Sequence, residues 1–306
     1  MKKIIIGIHG LKNKAPKDIL QNWWELSIRE GISKYGFSNK KMNFELVYWA
    51  DLNYDKPLDP DISDKKDSIY IPNPYCPALE NIKIENPKKL KQKVLDALER
   101  EMDKIFLNEH GFTGLDTIAD LTIHRMFKDL DTYYHGNCRE YPELNAKQAI
   151  RTRLADVLYK HKKKKIMLIS HSMGSIIAFD TLKFTVPEID IDTFITIGSP
   201  LGNSVILKKT LIELGRKLHK GVKIITPSNI RKSWFNFADL DDKIVMNYNL
   251  ADDFEKNSNR VKPTDIIVQN NYEYNSEPNP HKAYGYLRTP QIAEIIDNFL
   301  HSKKYL

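Results

Sequence analysis

The stretch around Ser172 places a serine where it could act as a nucleophile. Residues 166–169 are all apolar and predict a short buried strand, Ser172 stands at the apex of a tight turn, and residues 175–182 predict an apolar helix. A strand, a sharp turn and a helix in this order hold a serine hydroxyl clear of a sheet. We therefore expect the Ser172 hydroxyl to attack a carbonyl carbon, and the backbone N–H of Met173 to stabilise the oxyanion that forms.

The turn itself has the small neighbours that such a serine needs. Strand and helix backbones approach closely there, and Gly174, two residues after the serine, has no side chain to obstruct them. Ser170 stands where a glycine is usual, so the pentapeptide reads S-x-S-x-G, a mild departure. The alternative is an ordinary strand-to-helix turn in which Ser172 caps the helix. A base, an acid and a second oxyanion donor elsewhere in the chain would favour the nucleophile.

A histidine is the natural base for such a serine. The base must take the hydroxyl proton and later return it to the leaving group, which requires a pKa near neutrality, as imidazole has. Of the nine histidines, only His281 combines a loop setting, a position after the candidate acids and a helix soon afterwards. We predict His281 as the base; the alternative is a surface histidine beside Pro280.

Three aspartates in one short turn are candidates for the acid that orients the imidazole. Asp239, Asp241 and Asp242 follow the predicted strand 234–237. A triad acid holds the histidine in the correct orientation and stabilises its charged form. Aspartate also suits turns and helix caps, so two of the three are expected to have only that role. We predict Asp242 as the acid and keep Asp239 and Asp241 open.

The second oxyanion donor is expected in the turn after the first strand. His9, Gly10 and Leu11 end the apolar run that opens the chain. Two preplaced donors are needed for the oxyanion, each worth ~3–4 kcal/mol of transition-state stabilisation. Gly10 lets the backbone bend, and we predict that the Leu11 N–H is the second donor. The alternative is a simple turn at the end of a strand.

The elements that must position these groups follow a repeated strand–helix–strand pattern. The apolar run 4–9, a helix that begins at Pro16 and a strand over 44–50 open the chain. Further predicted strands cover 192–197, 222–226, 234–237 and 265–269, and predicted helices cover 146–161, 204–218 and 290–300. Such alternation predicts an α/β fold, a mostly parallel sheet flanked by helices. Ligands of such sheets bind at the carboxyl ends of the strands, where the candidate groups fall.

Residues 51–142 interrupt this pattern and predict a largely helical cap or lid. Prolines punctuate the first part of the segment, an amphipathic helix is predicted over 90–105, and a second helical pattern runs over 118–134. We interpret the chain as one domain, 1–306, with 51–142 inserted in it. The amphipathic helix could lie on lipid, but packing over the core is preferred.

Composition narrows the class of protein further. The 306 residues are 41% hydrophobic and 28% charged with a net charge of +7, an ordinary composition for a soluble protein. No basic segment resembles a nucleic-acid module, and no stretch approaches the ~20 apolar residues of a membrane span. The apolar start breaks at Gly7, unlike a signal peptide. Cys76 and Cys138 suggest neither a disulfide framework nor a zinc site. We expect a soluble, cytoplasmic protein that binds neither nucleic acid nor metal.

Taken together, these motifs resemble the α/β-hydrolase superfamily, most closely its lipase-like serine esterases. The residues that carry the resemblance are His9-Gly10, His171-Ser172-Met173-Gly174, Gly198-Ser199-Pro200, the acid loop 236–245 and His281, over about residues 1–50 and 145–306. The order serine, acid, histidine is that of the superfamily. The resemblance implies a Ser172–His281–Asp242 triad that cleaves small-molecule or lipid-like esters through an acyl-enzyme, without a cofactor.

Other functions remain open at this stage. The same machinery serves acyl transfer to an alcohol and the hydrolysis of thioesters or peptides. An inactive hydrolase fold could serve as a binding module, although such proteins usually lack a triad residue and this chain has candidates for all three. Peripheral membrane binding is a third possibility, suggested by the net charge of +7 and the predicted 90–105 helix.

Overall fold

The central sheet is built from the apolar runs of the sequence. The computed structural model describes residues 2–37, 41–78, 92, 128–217, 219, 221–245 and 247–301. In chain order its strands are β1 (Lys3–Ile8), β2 (Phe44–Val47), β3 (Lys165–His171), β4 (Ile191–Ile197), β5 (Ile224–Ile225), β6 (Ile230–Ala238), β7 (Phe254–Glu255), β8 (Pro263–Ile267), β9 (Glu273–Tyr274) and β10 (Glu277–Pro278). Six of them form one sheet in the order β2-β1-β3-β4-β6-β8, and every pairing within it is parallel.

The strand order creates a crevice where the candidate groups were expected. β2 lies on one side of β1, whereas all later strands of the sheet lie on the other side. The strand order therefore reverses between β1 and β3, and parallel sheets bind ligands outside the carboxyl ends of the strands at such a point. Leu11 follows the end of β1 and Ser172 follows the end of β3, so both lie at this crevice.

Helices cover both faces of the sheet. They are α1 (Lys17–Lys34), α2 (Lys128–His135), α3 (Ala146–His161), α4 (Met173–Asp180), α5 (Ser204–Glu213), α6 (Ala283–Leu287) and α7 (Pro290–His301). Side chains of α3, α4 and α5 share one hydrophobic core, and those of α1, α6 and α7 share the other. The strands supply both cores because successive side chains alternate in direction: Ile4, Ile6 and Ile8 join the first and Ile5 the second. The predicted α/β class is confirmed.

Several element boundaries differ from the sequence prediction. The helix expected over 204–218 ends at Glu213, because Gly215 adopts φ +65 and reverses the chain. The Arg216 N–H then bonds the Leu211 carbonyl and the Gly215 N–H bonds the Ile212 carbonyl, which is a Schellman motif. The strand expected over 44–50 ends at Val47, and a 3₁₀ turn follows at Ala50–Leu52.

The inserted segment is described only in part. Within residues 51–142, the structure describes 51–78, 92 and 128–142. The helical pattern over 118–134 corresponds to α2 where it is described, and the 90–105 helix falls outside the described residues apart from position 92. Across the described part of the chain, no helix has both the length and the hydropathy that crossing a bilayer requires.

Candidate active site

Ser172 occupies a strained turn between β3 and α4. Its backbone has φ 55 and ψ −130, a conformation that non-glycine residues adopt rarely and at a cost of roughly 1–3 kcal/mol. The turn is fixed on both sides: the Ser172 N–H donates to the Ile197 carbonyl at 3.1 Å, and its carbonyl accepts from the Ser175 N–H at 2.8 Å. Ser170, which stands in place of the usual glycine, is fully buried, and its hydroxyl donates to the Ile195 carbonyl at 3.2 Å.

Glycines allow the surrounding backbone to close around this serine. A Cβ on Gly174 would lie 2.7 Å from the carbonyl oxygens of Ile8 and His9, closer than real Cβ atoms come. A Cβ on Gly10 would lie 2.6 Å from the Cβ of Ser172. The turn after β1 and the turn after β3 therefore pack directly against each other.

A continuous hydrogen-bonded chain joins Ser172, His281 and Asp242. His281 Nε2 lies 2.9 Å from Ser172 Oγ. On the other side of the ring, Nδ1 lies 2.9 Å from Asp242 Oδ1 and 2.8 Å from Oδ2. A carboxylate can only accept, so Nδ1 carries a proton and, in the neutral ring, Nε2 is free to accept the serine proton. The Asp242 side chain has no exposed surface, whereas that of His281 is 27% exposed.

The other two aspartates do not contact the histidine. Asp239 accepts bonds from the backbone N–H groups of Asp241 at 2.7 Å and Asn270 at 2.6 Å. Burial raises the pKa of Asp239, and these N–H bonds counteract that effect. Asp241 is exposed at the surface of the turn. Of the three candidates, the structure brings only Asp242 to His281.

The residues predicted as oxyanion donors, Leu11 and Met173, both lie near Ser172. Met173 is the first residue of α4, where backbone N–H groups lack partners within the helix. Leu11 lines the same cavity as Ser172 and follows Gly10, the residue in closest approach to the serine. Their roles stay predictions, since the oxyanion position depends on bound substrate.

His171 is a neighbour of the site that sequence reasoning missed. Its Nε2–H donates to the His281 carbonyl at 2.7 Å, and the two rings lie 4.8 Å apart. Burial and then the charge on His281 lower the pKa of His171 well below its ordinary value, so that His171 stays neutral. The sequence shows that His171 is adjacent to Ser172, which could have marked it as part of the site. Its contact with His281, 110 positions away, is visible only in the structure.

Tyr286 and Asn270 also hold the site and were not predicted. The Tyr286 hydroxyl donates to Asp242 Oδ2 at 2.8 Å and accepts from the Asp239 N–H at 3.0 Å. Burial and then the charge of Asp242 raise the pKa of Tyr286, which keeps it a donor. Asn270 donates through Nδ2 to the carbonyls on both sides of His281, at 2.7 Å to Pro280 and 2.8 Å to Lys282.

Ser172 and His281 open onto a cavity of about 350 Å³. This volume is within the range of small-molecule sites. One part of the wall is apolar and aromatic and includes Leu20, Trp23 and Ile71. The remaining lining includes three lysines, Lys12, Lys14 and Lys282. In the described part of the chain, no group of three or more His, Cys, Asp or Glu side chains could hold a metal ion.

The parallel sheet, the strained serine and its location at the crevice together define an α/β-hydrolase-like protein. Comparison with known families agrees: residues 147–276 match the model of the family described as lecithin:cholesterol acyltransferase. The matched stretch is less than half of the chain, contains Ser172 and Asp242, and ends before His281. No curated protein matches the chain. The similarity therefore supports a lipase-like acyltransferase or hydrolase class.

Proposed function

We propose that this protein is a serine hydrolase that cleaves carboxylic esters through an acyl-enzyme on Ser172. The observation that carries the proposal is the unbroken contact from the strained Ser172 through His281 to the buried Asp242. A serine without a base is a weak nucleophile, and a histidine oriented by an acid activates it.

Acylation follows from this geometry. The Ser172 hydroxyl attacks the ester carbonyl carbon while His281 Nε2 accepts its proton. The carbonyl oxygen becomes an oxyanion, and the N–H groups of Leu11 and Met173 stabilise it. The C–O bond to the alcohol then breaks, and the imidazolium gives its proton to the departing oxygen. Asp242 stabilises the imidazolium throughout by accepting from Nδ1–H.

Deacylation repeats these steps with water. A water molecule gives its proton to His281 Nε2 and attacks the acyl carbonyl. The second tetrahedral intermediate collapses, Ser172 regains its proton from the imidazolium, and the carboxylic acid leaves. The chain's own residues perform every proton transfer in this sequence, which needs neither metal nor cofactor.

Acyl transfer to an alcohol is the second candidate, favoured by the match to the lecithin:cholesterol acyltransferase family. The same acyl-enzyme would form, and an alcohol would replace water in the second half. The family name also makes a lipid-like acyl donor the natural class to test, and the apolar wall at Leu20, Trp23 and Ile71 suits an acyl chain. Product analysis with competing alcohols separates the two activities.

We also propose that residues 51–142 form a cap over the cavity within a single domain. Leu58, Ile71 and Asn73 of this segment line the cavity beside Ser172. Asp129 of α2 accepts a bond from the Lys12 N–H in the turn after β1. These contacts, made from both described ends of the segment, support the proposal of a cap. The cytoplasmic location stays a prediction.

Labelling with a fluorophosphonate probe tests the proposed function. We expect the wild-type protein to be labelled, and the Ser172→Ala and His281→Ala variants to remain unlabelled while retaining the wild-type circular dichroism spectrum. Ester hydrolysis should fall by roughly six orders of magnitude in either variant. Hydrolysis retained by folded Ser172→Ala would contradict the proposal. A folded wild type that is neither labelled nor active would favour the binding-module alternative instead.

A further inference from the structure

The cavity at Ser172 has an apolar part and a strongly cationic part. Lys12 and Lys14 lie in the turn between β1 and α1, and Lys282 directly follows His281. No aspartate or glutamate is among the described residues that line the cavity. Three lysines without a lining carboxylate give the cavity a net positive charge beside the nucleophile.

The protein supports these ammonium groups without pairing them with carboxylates. Lys14 Nζ donates to the carbonyls of Leu11, Lys12 and Asn13, its own turn. Lys282 Nζ lies 5.3 Å from the ring centroid of Tyr284 and 6.0 Å from that of Tyr272. Aromatic rings and carbonyl oxygens stabilise a cation without neutralising its charge.

The carboxylate of Asp129, which lies near these lysines, already accepts two hydrogen bonds. Asp129 accepts from the Lys12 N–H through Oδ2 and from the Tyr54 hydroxyl at 2.7 Å through Oδ1. Asp129 attracts Lys14, but the described residues include no ion pair between a carboxylate and any of the three ammonium groups. The positive charge of the cavity is therefore available to a ligand.

The lysines repel one another. Burial, followed by the charge of Lys282, lowers the pKa of Lys14 to about 7. Burial, followed by the charge of Lys12, lowers the pKa of Lys282 to about 8. An anion bound at the lysines would offset this repulsion. Lys12 and Lys282 can donate charge-assisted hydrogen bonds to it, whereas Lys14 contributes its charge, because its three donors already face backbone carbonyls.

We propose that the ester cleaved at Ser172 carries an anionic group, a phosphate or a carboxylate, which binds at Lys12, Lys14 and Lys282. This inference rests on the proposed function and specifies its substrate class. The apolar wall takes the acyl chain and the lysines take the anion, so the substrate is an amphiphilic acidic ester. A purely neutral ester would leave the cationic part of the cavity uncompensated.

Two matched pairs of soluble, short-chain esters test this inference, each below its critical micelle concentration. The first pair is 1-hexanoyl-lysophosphatidic acid and 1-hexanoylglycerol, which differ by a phosphate on the alcohol. The second pair is the mono-4-nitrophenyl ester of adipic acid and 4-nitrophenyl hexanoate, which differ by a carboxylate on the acyl chain. We expect a kcat/KM ratio of anionic to neutral ester of about tenfold or more in at least one pair. The pair that shows the preference identifies the anion.

Substitution of the lysines tests whether they are the source of the preference. We expect Lys12→Gln and Lys282→Gln each to lower the preferred ratio by about threefold to tenfold. Lys17→Gln is the matched control, since Lys17 is exposed at the start of α1 and does not line the cavity. Lys14 is left unchanged because its ammonium group holds the turn that carries Leu11.

The outcomes separate this inference from the proposed function. Fluorophosphonate labelling with a ratio near one in both pairs would overturn the inference and leave the serine hydrolase intact. A high ratio that persists in Lys12→Gln and Lys282→Gln would also overturn it, because the anion would then bind elsewhere. Absence of both labelling and hydrolysis in the folded protein would overturn the function and the inference together.

Discussion

Tyr286 donates its phenolic proton to the carboxylate of Asp242, with the two oxygens 2.8 Å apart. Asp242 also accepts from the Ile244 N–H at 3.0 Å and faces His281. Its side chain is entirely buried, so these donors replace the water that an ionised carboxylate would otherwise bind. Tyr286 is therefore a positioning residue for the proposed triad and lies shortly after His281 in the chain.

Loss of this hydroxyl is expected to weaken the site without removing any reacting group. Tyr286→Phe should lower kcat by about tenfold and the free energy of unfolding by about 1–3 kcal/mol, because a buried charge loses a hydrogen bond. Asp242 then lacks one of the donors that fix its orientation towards the ring. We expect KM to change less than kcat, and fluorophosphonate labelling to become slower. A purely structural effect would lower stability and leave the labelling rate of the folded protein unchanged.

The three aspartates of the acid turn should differ sharply on substitution. Asp242→Asn should lower kcat by about 10⁴-fold, as expected where the acid sets the orientation and tautomer of the base. Asp241→Asn is the matched control, since Asp241 is exposed, and its kcat should stay close to that of the wild type.

Asp239→Asn should behave differently again. It replaces one of the two buried oxygens that accept backbone N–H groups by an NH₂ donor, so we expect reduced stability and a smaller loss of kcat than for Asp242→Asn. Steady-state kinetics together with urea denaturation separates the three cases. An equal loss of kcat in Asp239→Asn and Asp242→Asn, with both proteins folded, would contradict the assignment of the acid.

Asn270 is expected to control the position of His281. Its Nδ2 donors reach the carbonyls of Pro280 and Lys282, while its Oδ1 accepts from the Tyr272 N–H at 3.0 Å. Asn270→Asp keeps the acceptor and removes the donors but adds a negative charge, so Asn270→Ala, which removes the donors without adding a charge, is measured beside it. We expect kcat to fall by about tenfold or more, since small misplacement of a base is costly.

Two measurements identify a loss of positioning as the cause. The KM of the Asn270→Asp variant should change less than its kcat, and fluorophosphonate labelling should become slower but not disappear. An unchanged kcat would show that the loop holds His281 without Asn270.

The preference for anionic esters should depend on pH. Lys14, with a pKa of about 7, faces Lys12, Lys282 and Asp129, and the pKa of Lys282 is about 8. Both ammonium groups are charged below their pKa values and lose that charge as the pH rises. The ratio of anionic to neutral rates should therefore be highest near about pH 6 and fall by about tenfold towards about pH 9.5.

The ratio cancels effects of pH that both esters of a pair share. The kcat/KM profiles report the free enzyme, so binding of the anion does not move their midpoints. Measurement of both profiles on one matched ester pair checks this, above about pH 7 for the phosphate pair, because a phosphate gains its second charge near about pH 6. A ratio that rises with pH would contradict the assignment of the anion site to the lysines.

Local features of the sequence were sufficient to predict the fold class and the turn at Ser172. A short apolar strand, a small-residue turn and an apolar helix are adjacent in the chain, so their structure depends on neighbouring residues. The helix predicted at 146–161 is confirmed as α3, with Asn145 as its side-chain cap. The setting of His281, after the acid turn and before a helix, could also be found from chain order.

Only the tertiary structure decided which residues support the site. The three aspartates of the acid turn have the same side chain, so nothing in the local sequence distinguishes them. Their environments differ in the fold: Asp239 contacts the Asn270 N–H, Asp241 faces solvent and Asp242 contacts His281.

The lysines of the cavity could not be predicted from the local sequence either. A run of lysines such as 162–165 is visible in the sequence, whereas Lys12, Lys14 and Lys282 meet only in the folded cavity. Lys282 is 268 positions from Lys14, and the two share a site because β1 and the loop after β10 end at the same edge of the sheet. The sequence determined the local turns and the elements, through the alternation of apolar residues along the chain. The contacts between distant turns, and with them the charge of the site, arise only from the packing of the sheet.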